Sequence, residues 1–153
     1  MSNWIVITKA DLYNSAAASY VDSADSQQLG AGQTSRSAAV IADVVLEIRS
    51  AVARNGVVDV NAAAIPFGLK NLAVDTVILR LKKGLGIALD KDEVDALVRY
   101  DRKLEKIMSG ELTVEAPDNP IAAQVTQGVA KPSFPQRGLS APARQFNDTT
   151  QDG

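Results

Sequence analysis

The sequence predicts an all-α fold, with a four-helix-bundle-like core over residues 1–116 and an extended, irregular C-terminal arm over residues 117–153. Three observations carry this. Apolar residues recur at three- and four-residue steps in the long middle segments, four helix-start signals stand ahead of such segments, and five of the six prolines fall after residue 116.

The first helix is expected from Lys9 to about Val21. Trp4 to Ile7 form a short apolar lead-in, Thr8 stands at the N-cap, and Asp11 three positions later completes a capping box. Leu12, Ala16 and Tyr20 make its stripe. A polar stretch rich in Ser, Gln and Gly, from Asp22 to Gln33, reads as a loop. Thr34 or Ser35 caps the second helix, which carries Ile41, Val44, Val45, Ile48 and Val52 on one face and ends after Arg54, where Asn55 and Gly56 supply a left-handed stop. Val57 to Val60 alternates too briefly for a sheet strand and reads as an extended connector.

Pro66 suits the first position of a third helix, where its missing N–H is no loss. From Leu69 to Leu81 that helix is apolar almost all round, which predicts a central position, and Lys82, Lys83 and Gly84 close it. Asp90 caps the fourth helix with Glu93 three residues on, and Val94, Leu97, Val98, Leu104, Ile107 and Met108 form its expected buried stripe before Gly110 ends it. Glu111 to Val114 reads as a short strand or an extended exit.

Beyond Pro117 the helical periodicity stops. Prolines at 117, 120, 132, 135 and 142 alternate with Gln, Asn, Ser and Gly. Such a segment buries too little apolar surface to offset its ordering entropy, so alone in water it is expected to be a flexible arm that gains order from a neighbouring subunit.

Composition narrows the function. The 153 residues suit one domain, and a hydrophobic fraction of 46% with only 5% aromatics implies a core of many small side chains. Sixteen basic against 18 acidic residues, a net charge of -2, disfavour nucleic acid as the principal ligand. No apolar run approaches the ~20 residues that cross a bilayer, and the N-terminus lacks a secretory pattern, so a cytoplasmic site of synthesis is expected. Cysteine and histidine are both absent. Disulfides, thiolate nucleophiles, the common zinc sites and the usual neutral-pH general base are thereby excluded. We therefore expect neither an enzyme nor a metal or cofactor carrier.

The remaining constellations each have a plainer explanation. Asp90, Asp92, Glu93 and Asp95 suggest a calcium loop, yet the glycine and terminal glutamate of such a loop are missing from their places, so helix capping accounts for the run. Gly84-Leu85-Gly86 follows a helix rather than a strand and reads as a helix stop, not a phosphate cradle. Asp75 and Asp101 invite a catalytic-dyad reading, against which stand the lack of a nucleophile motif and their expected role as ion-pair partners within the bundle. Arg99, Arg102, Lys103 and Lys106 fall on one side of the fourth helix. They form either a solvated face paired locally with Asp101 and Glu105 or a basic strip facing a partner or a channel. Phe134 and Phe146, with Arg137 and Arg144 beside them, are candidate protein-interaction residues of the arm.

The stretch beginning Ile65-Pro66, with Leu69, Leu72, Ala73 and Asp75 ahead of Leu79, resembles the core helix of the head-tail connector proteins of tailed phages. Val98-Arg99-Tyr100, Leu104, Ile107 and the exit Met108-Ser109-Gly110-Glu111-Leu112 are similar to that family's closing helix, and Ile7-Thr8-Lys9-Ala10-Asp11-Leu12 to its opening. The resemblance spans roughly residues 5 to 114. It departs in the Gly- and Gln-containing segment between the first two helices and in the longer arm. It implies a structural virion protein of the neck, assembled in the host cytoplasm, that forms a ring, usually of twelve copies, between the portal protein and a stopper or tail-completion protein. DNA would meet it only as passing cargo, and the arm would dock onto portal or neighbouring subunits. The alternative is a small helical regulatory or scaffolding module that binds a single protein partner. An arm of this length reaches on the order of 120 Å when extended, against a body with a radius of gyration of ~14 Å.

Overall fold

The computed structural model describes residues 2–15, 17–27, 32 and 34–121. The arm beyond residue 121, with Phe134, Arg137, Arg144 and Phe146, lies outside the described residues. The body is mainly helical. Its order is β1 (Trp4–Val6), α1 (Lys9–Tyr13), α2 (Ala18–Ser26), α3 (Arg36–Ala53), β2 (Ala64–Pro66), a 3-10 turn (Phe67–Leu69), α4 (Lys70–Gly84) and α5 (Lys91–Met108). Five α-helices and one two-stranded sheet among the described residues replace the expected four-helix bundle.

The capping box at Thr8 forms as expected: the Asp11 carboxylate accepts the Thr8 N–H and hydroxyl, each at 2.8 Å. The helix it starts is shorter than the periodicity suggested. Ser15 turns its hydroxyl back to the Leu12 carbonyl at 2.8 Å, an alternative to helix continuation that serine side chains offer. A second helix then begins at Ala18 and runs through Asp22–Ser26, the stretch expected to be loop. Tertiary partners hold it there. Tyr13 donates to Asp22 at 2.8 Å, and Asp25 accepts from the Ser37 N–H and hydroxyl at 2.9 and 2.8 Å. The bend buries Leu12, Val21 and Ala24 together.

Pro66 does not open a helix. It ends β2, which pairs antiparallel with β1 in the register Trp4 to Pro66, Ile5 to Ile65 and Val6 to Ala64. A proline at a strand end forfeits no ladder bond, and the next N–H, of Phe67, donates to Asn3 at 2.8 Å. The Trp4–Ile7 lead-in is thus half of a small sheet.

α4 is the central helix that its composition predicted, burying Ala73, Val74, Val77, Leu79 and Leu81. Its buried Thr76 hydroxyl is satisfied by the Leu72 carbonyl at 2.8 Å. α3 packs against α4 and is flanked by α2 and α5. On α3 the expected stripe is buried at Val44, Val45, Ile48 and Val52, with Ile41 half-buried. α5 agrees less well. Tyr100, Leu104 and Ile107 are buried, but Val94 and Val98 are 47% and 42% exposed.

The glycine stops sort themselves by backbone. Gly110 takes φ +79°, and Leu112 N–H reaches back to the Lys106 carbonyl at 3.0 Å, closing α5 in a left-handed cap. Gly84 instead stays inside α4, and the left-handed residue is Gly86 at φ +76°. Gly56 is not left-handed either; its N–H simply bonds the Val52 carbonyl at 2.8 Å. Asn55 serves differently from expectation, its amide capping the Ile107 carbonyl of α5 at 3.0 Å.

The exit from α5 is extended and folds back onto the body. The Trp4 indole N–H donates to the Glu115 carbonyl at 2.9 Å, and Asn3 N–H to the Asp118 carboxylate at 3.0 Å. Val60 N–H donates to Asn119 at 2.8 Å and Ile121 N–H to Val58 at 2.9 Å, around an antiparallel bridge between Asp59 and Pro120. No described helix is long and apolar enough to cross a membrane.

Candidate functional site

A groove of about 660 Å³ runs along α3 from Ser35 to Arg49. Ile41, Val45 and Leu46 of α3 line it, with Ile7 from the end of β1 and Ala62 and Ala63 from the loop before β2. Ala38 and Ala42 give α3 a low profile there, and Leu46 stands 65% exposed beside them. Among the described residues, Leu46 is one of the most exposed large apolar side chains.

Both charges at the groove's rim are already engaged. The Lys9 ammonium bonds the Asp25 carboxylate at 2.7 Å and lies 5.5 Å from the Tyr13 ring. That bond holds the Lys9 pKa well above its usual value. Burial pulls the Asp25 carboxyl upward, but the hydrogen bonds from Lys9 and Ser37 outweigh it and the net shift is downward. At the other end Arg49 donates to the carbonyls of Asn61, Ala64 and Asp59 at 2.8, 2.8 and 2.7 Å, with its guanidinium 5.7 Å from the Trp4 ring. The loop that forms one wall is therefore clamped to α3. Asp59 tightens it, its carboxylate accepting from Asn61 N–H at 2.8 Å.

A second groove lies between α3 and α5, lined by Leu46, Ser50 and Arg54 on one side and Asp101, Glu105 and Met108 on the other. Its floor is an ion-pair network. Arg80 donates to both oxygens of Glu47 at 2.8 and 2.7 Å, and the Tyr100 hydroxyl donates to Glu47 at 3.0 Å. The Arg80 bonds hold the Glu47 carboxyl below its usual range despite partial burial. Burial, with the Glu47 charge beside it, pushes the Tyr100 hydroxyl well above its ordinary value. Every member of the network has a partner, and together they tie α3, α4 and α5 to one another.

The other candidates are dispersed. Asp75 is exposed and lines a shallow depression with Asp11, Asn14 and Lys70. Asp101 is exposed in the second groove. They are not brought together as a dyad and neither is inside a bundle. Asp90 and Glu93 form the reciprocal cap, with bonds of 2.8 and 3.1 Å, and Glu93 also pairs with Lys82. Among the described residues no group of three or more carboxylates is placed to hold a metal ion. Arg99, Arg102 and Lys106 are exposed and Lys103 is half-buried. Lys106 pairs with Glu111 at 3.0 Å rather than with Asp101 or Glu105.

The α3 groove was not singled out by motif, since Ile41 and Val45, which line it, read from periodicity only as part of the buried stripe. Its one sequence signal is Leu46, a large apolar residue that falls off the stripe of Ile41, Val44, Val45 and Ile48. No family model matches the chain, and neither a curated protein nor a solved structure is significantly similar to it.

Proposed function

We propose that this chain is a structural assembly subunit of the tailed-phage neck, a head-tail adaptor that joins a ring of its own copies between the portal and the stopper or tail. The observation that carries the reading is the apolar groove along α3, with Leu46 65% exposed beside it and the rim cations Lys9 and Arg49 both hydrogen-bonded within the described body. A largely aliphatic surface of that kind suits burial against protein. The resemblance of the opening, core and closing helices to the connector family supports the same role.

The exposed side chains of Arg99, Arg102 and Lys106 suit a face that meets an acidic partner or passing DNA. The near-neutral charge balance of the chain fits a channel through which a polyanion slides without sticking.

Electron microscopy of particles from cells producing the virion with and without this chain tests the proposal. Loss of the chain is expected to leave filled heads separated from tails, and cryo-electron microscopy of complete particles should place a ring of it in the neck. Normal, tailed particles formed without the chain would overturn the reading.

A further inference from the structure

We infer that Asn55-Gly56 is a self-modifying site, an asparaginyl-glycyl bond that the folded body keeps from deamidating and whose reaction releases the end of α5.

Residue type is the first argument. Deamidation needs the backbone nitrogen that follows an asparagine to close on its side chain, and a glycine there has no Cβ to hinder the approach. Asn55 is the only asparagine in the chain that precedes glycine. Both residues are exposed, and a cleft of about 190 Å³ lined by Asn55, Gly56, Ile107 and Gly110 admits water to them. The Gly56 nitrogen gives up its proton and bonds to Cγ of Asn55, the Cγ–Nδ2 bond breaks, and Nδ2 leaves as ammonia. Water then opens the cyclic imide at either carbonyl, leaving aspartate or isoaspartate at position 55. Water is consumed and ammonia released, with no oxidation or reduction.

The fold opposes this step at both reacting groups. The Gly56 N–H donates to the Val52 carbonyl at 2.8 Å, which ties the attacking nitrogen to the last turn of α3. The leaving amide is tied to another helix, since Nδ2 of Asn55 donates to the Ile107 carbonyl at 3.0 Å and to the Met108 carbonyl. These bonds must break before nitrogen and Cγ can meet, so the reaction runs through openings of the junction between α3 and α5.

The product cannot restore the contact. A carboxylate has no N–H to donate, and it would stand against two carbonyls at the negative end of the α5 dipole. The modification is therefore one-way and marks copies that have spent time open.

Full-length protein held in one mildly alkaline buffer, with and without urea, tests this. Peptides from timed samples are read by mass spectrometry for amide-to-acid conversion, with isoaspartate separated by chromatography. In urea, position 55 is expected to convert faster than Asn61 and Asn71, and Gly56→Ala to slow it about tenfold. The folded chain is expected to convert about tenfold slower than the unfolded one, or slower still. Equal rates with and without urea, or a position 55 no faster than Asn61 in urea, would overturn the inference. Asn55→Asp stands in for one product and is expected to melt about 3–6 °C below the parent at neutral pH. A variant that melts with the parent would overturn the claim that the reaction releases α5.

Discussion

Arg80 and Glu47 are locked end-on, the two terminal guanidinium nitrogens each within 2.8 Å of a different carboxylate oxygen, and the hydroxyl of Tyr100 completes the site at 3.0 Å. Three helices, α3, α4 and α5, meet at this one carboxylate. Tyr100→Phe removes one hydrogen bond without changing shape and is expected to cost ~1 kcal/mol. Arg80→Ala should cost about 1–2 kcal/mol, kept modest because the ion pair is partly solvated and therefore screened. Urea titration of each variant measures this, and no change in midpoint for both would show that the network contributes nothing.

Exposure separates two neighbouring residues of α3. Ile48 is fully buried, so Ile48→Ala should cost about 2–5 kcal/mol through lost transfer energy and the cavity left behind. Leu46→Ala should leave the unfolding midpoint within about 0.5 kcal/mol of the parent, as surface changes do, while weakening assembly. Thermal melts combined with light scattering read both, and a large loss of stability in Leu46→Ala would mean that this leucine belongs to the core.

The wall of the groove depends on Arg49. Arg49→Lys keeps the charge but cannot present a planar fork to three carbonyls, and losing those bonds is expected to cost about 1–3 kcal/mol. Hydrogen exchange at Asn61 and Ala64, whose amides bond within the clamped loop, should quicken in the variant. Unchanged exchange would show that the loop holds itself.

Acid should destabilise the fold through identifiable groups. The carboxyls of Asp11, Asp25 and Glu47 are held below their ordinary values of 3.8, 3.8 and 4.5. The Lys70 bond leads for Asp11 and the Arg80 bond for Glu47, while at Asp25 hydrogen bonds outweigh the larger single effect of burial. A depressed folded pKa contributes stability that is fully present above the unfolded value and lost as pH falls through the folded one. With no histidine in the chain, the melting temperature should be nearly level from about pH 6 to 7.5 and decline below about pH 4.5. A steep slope near pH 6.5 would contradict this assignment.

The start of α5 offers the simplest check. Asp90→Ala removes the acceptor for the Glu93 N–H and should cost about 0.5–2 kcal/mol, with Asp90→Asn largely retaining the cap.

Local rules were legible wherever the interaction that decides them spans only a few residues. The caps at Thr8, Ser35 and Asp90, the left-handed stop at Gly110, the buried stripe of α3 and the central position of α4 all follow from spacing, because capping and helical periodicity act within one or two turns. Asp22–Ser26 was misread as loop because its helicity comes from partners distant in the chain, Tyr13 and Ser37. Pro66 was misread because its strand partner, Trp4, lies at the other end of the first half.

The candidate site divides along the same line. That the chain offers no thiol, no imidazole and little net charge is a property of composition alone, and it confines the available chemistry before any folding. That Leu46, Ile7 and Ala63 share one groove, that Arg49 closes its wall, and that Ile121 lies beside Val58 are consequences of packing. Periodicity says which face of a helix avoids water; only the arrangement of neighbouring elements says which apolar residues are left without a cover.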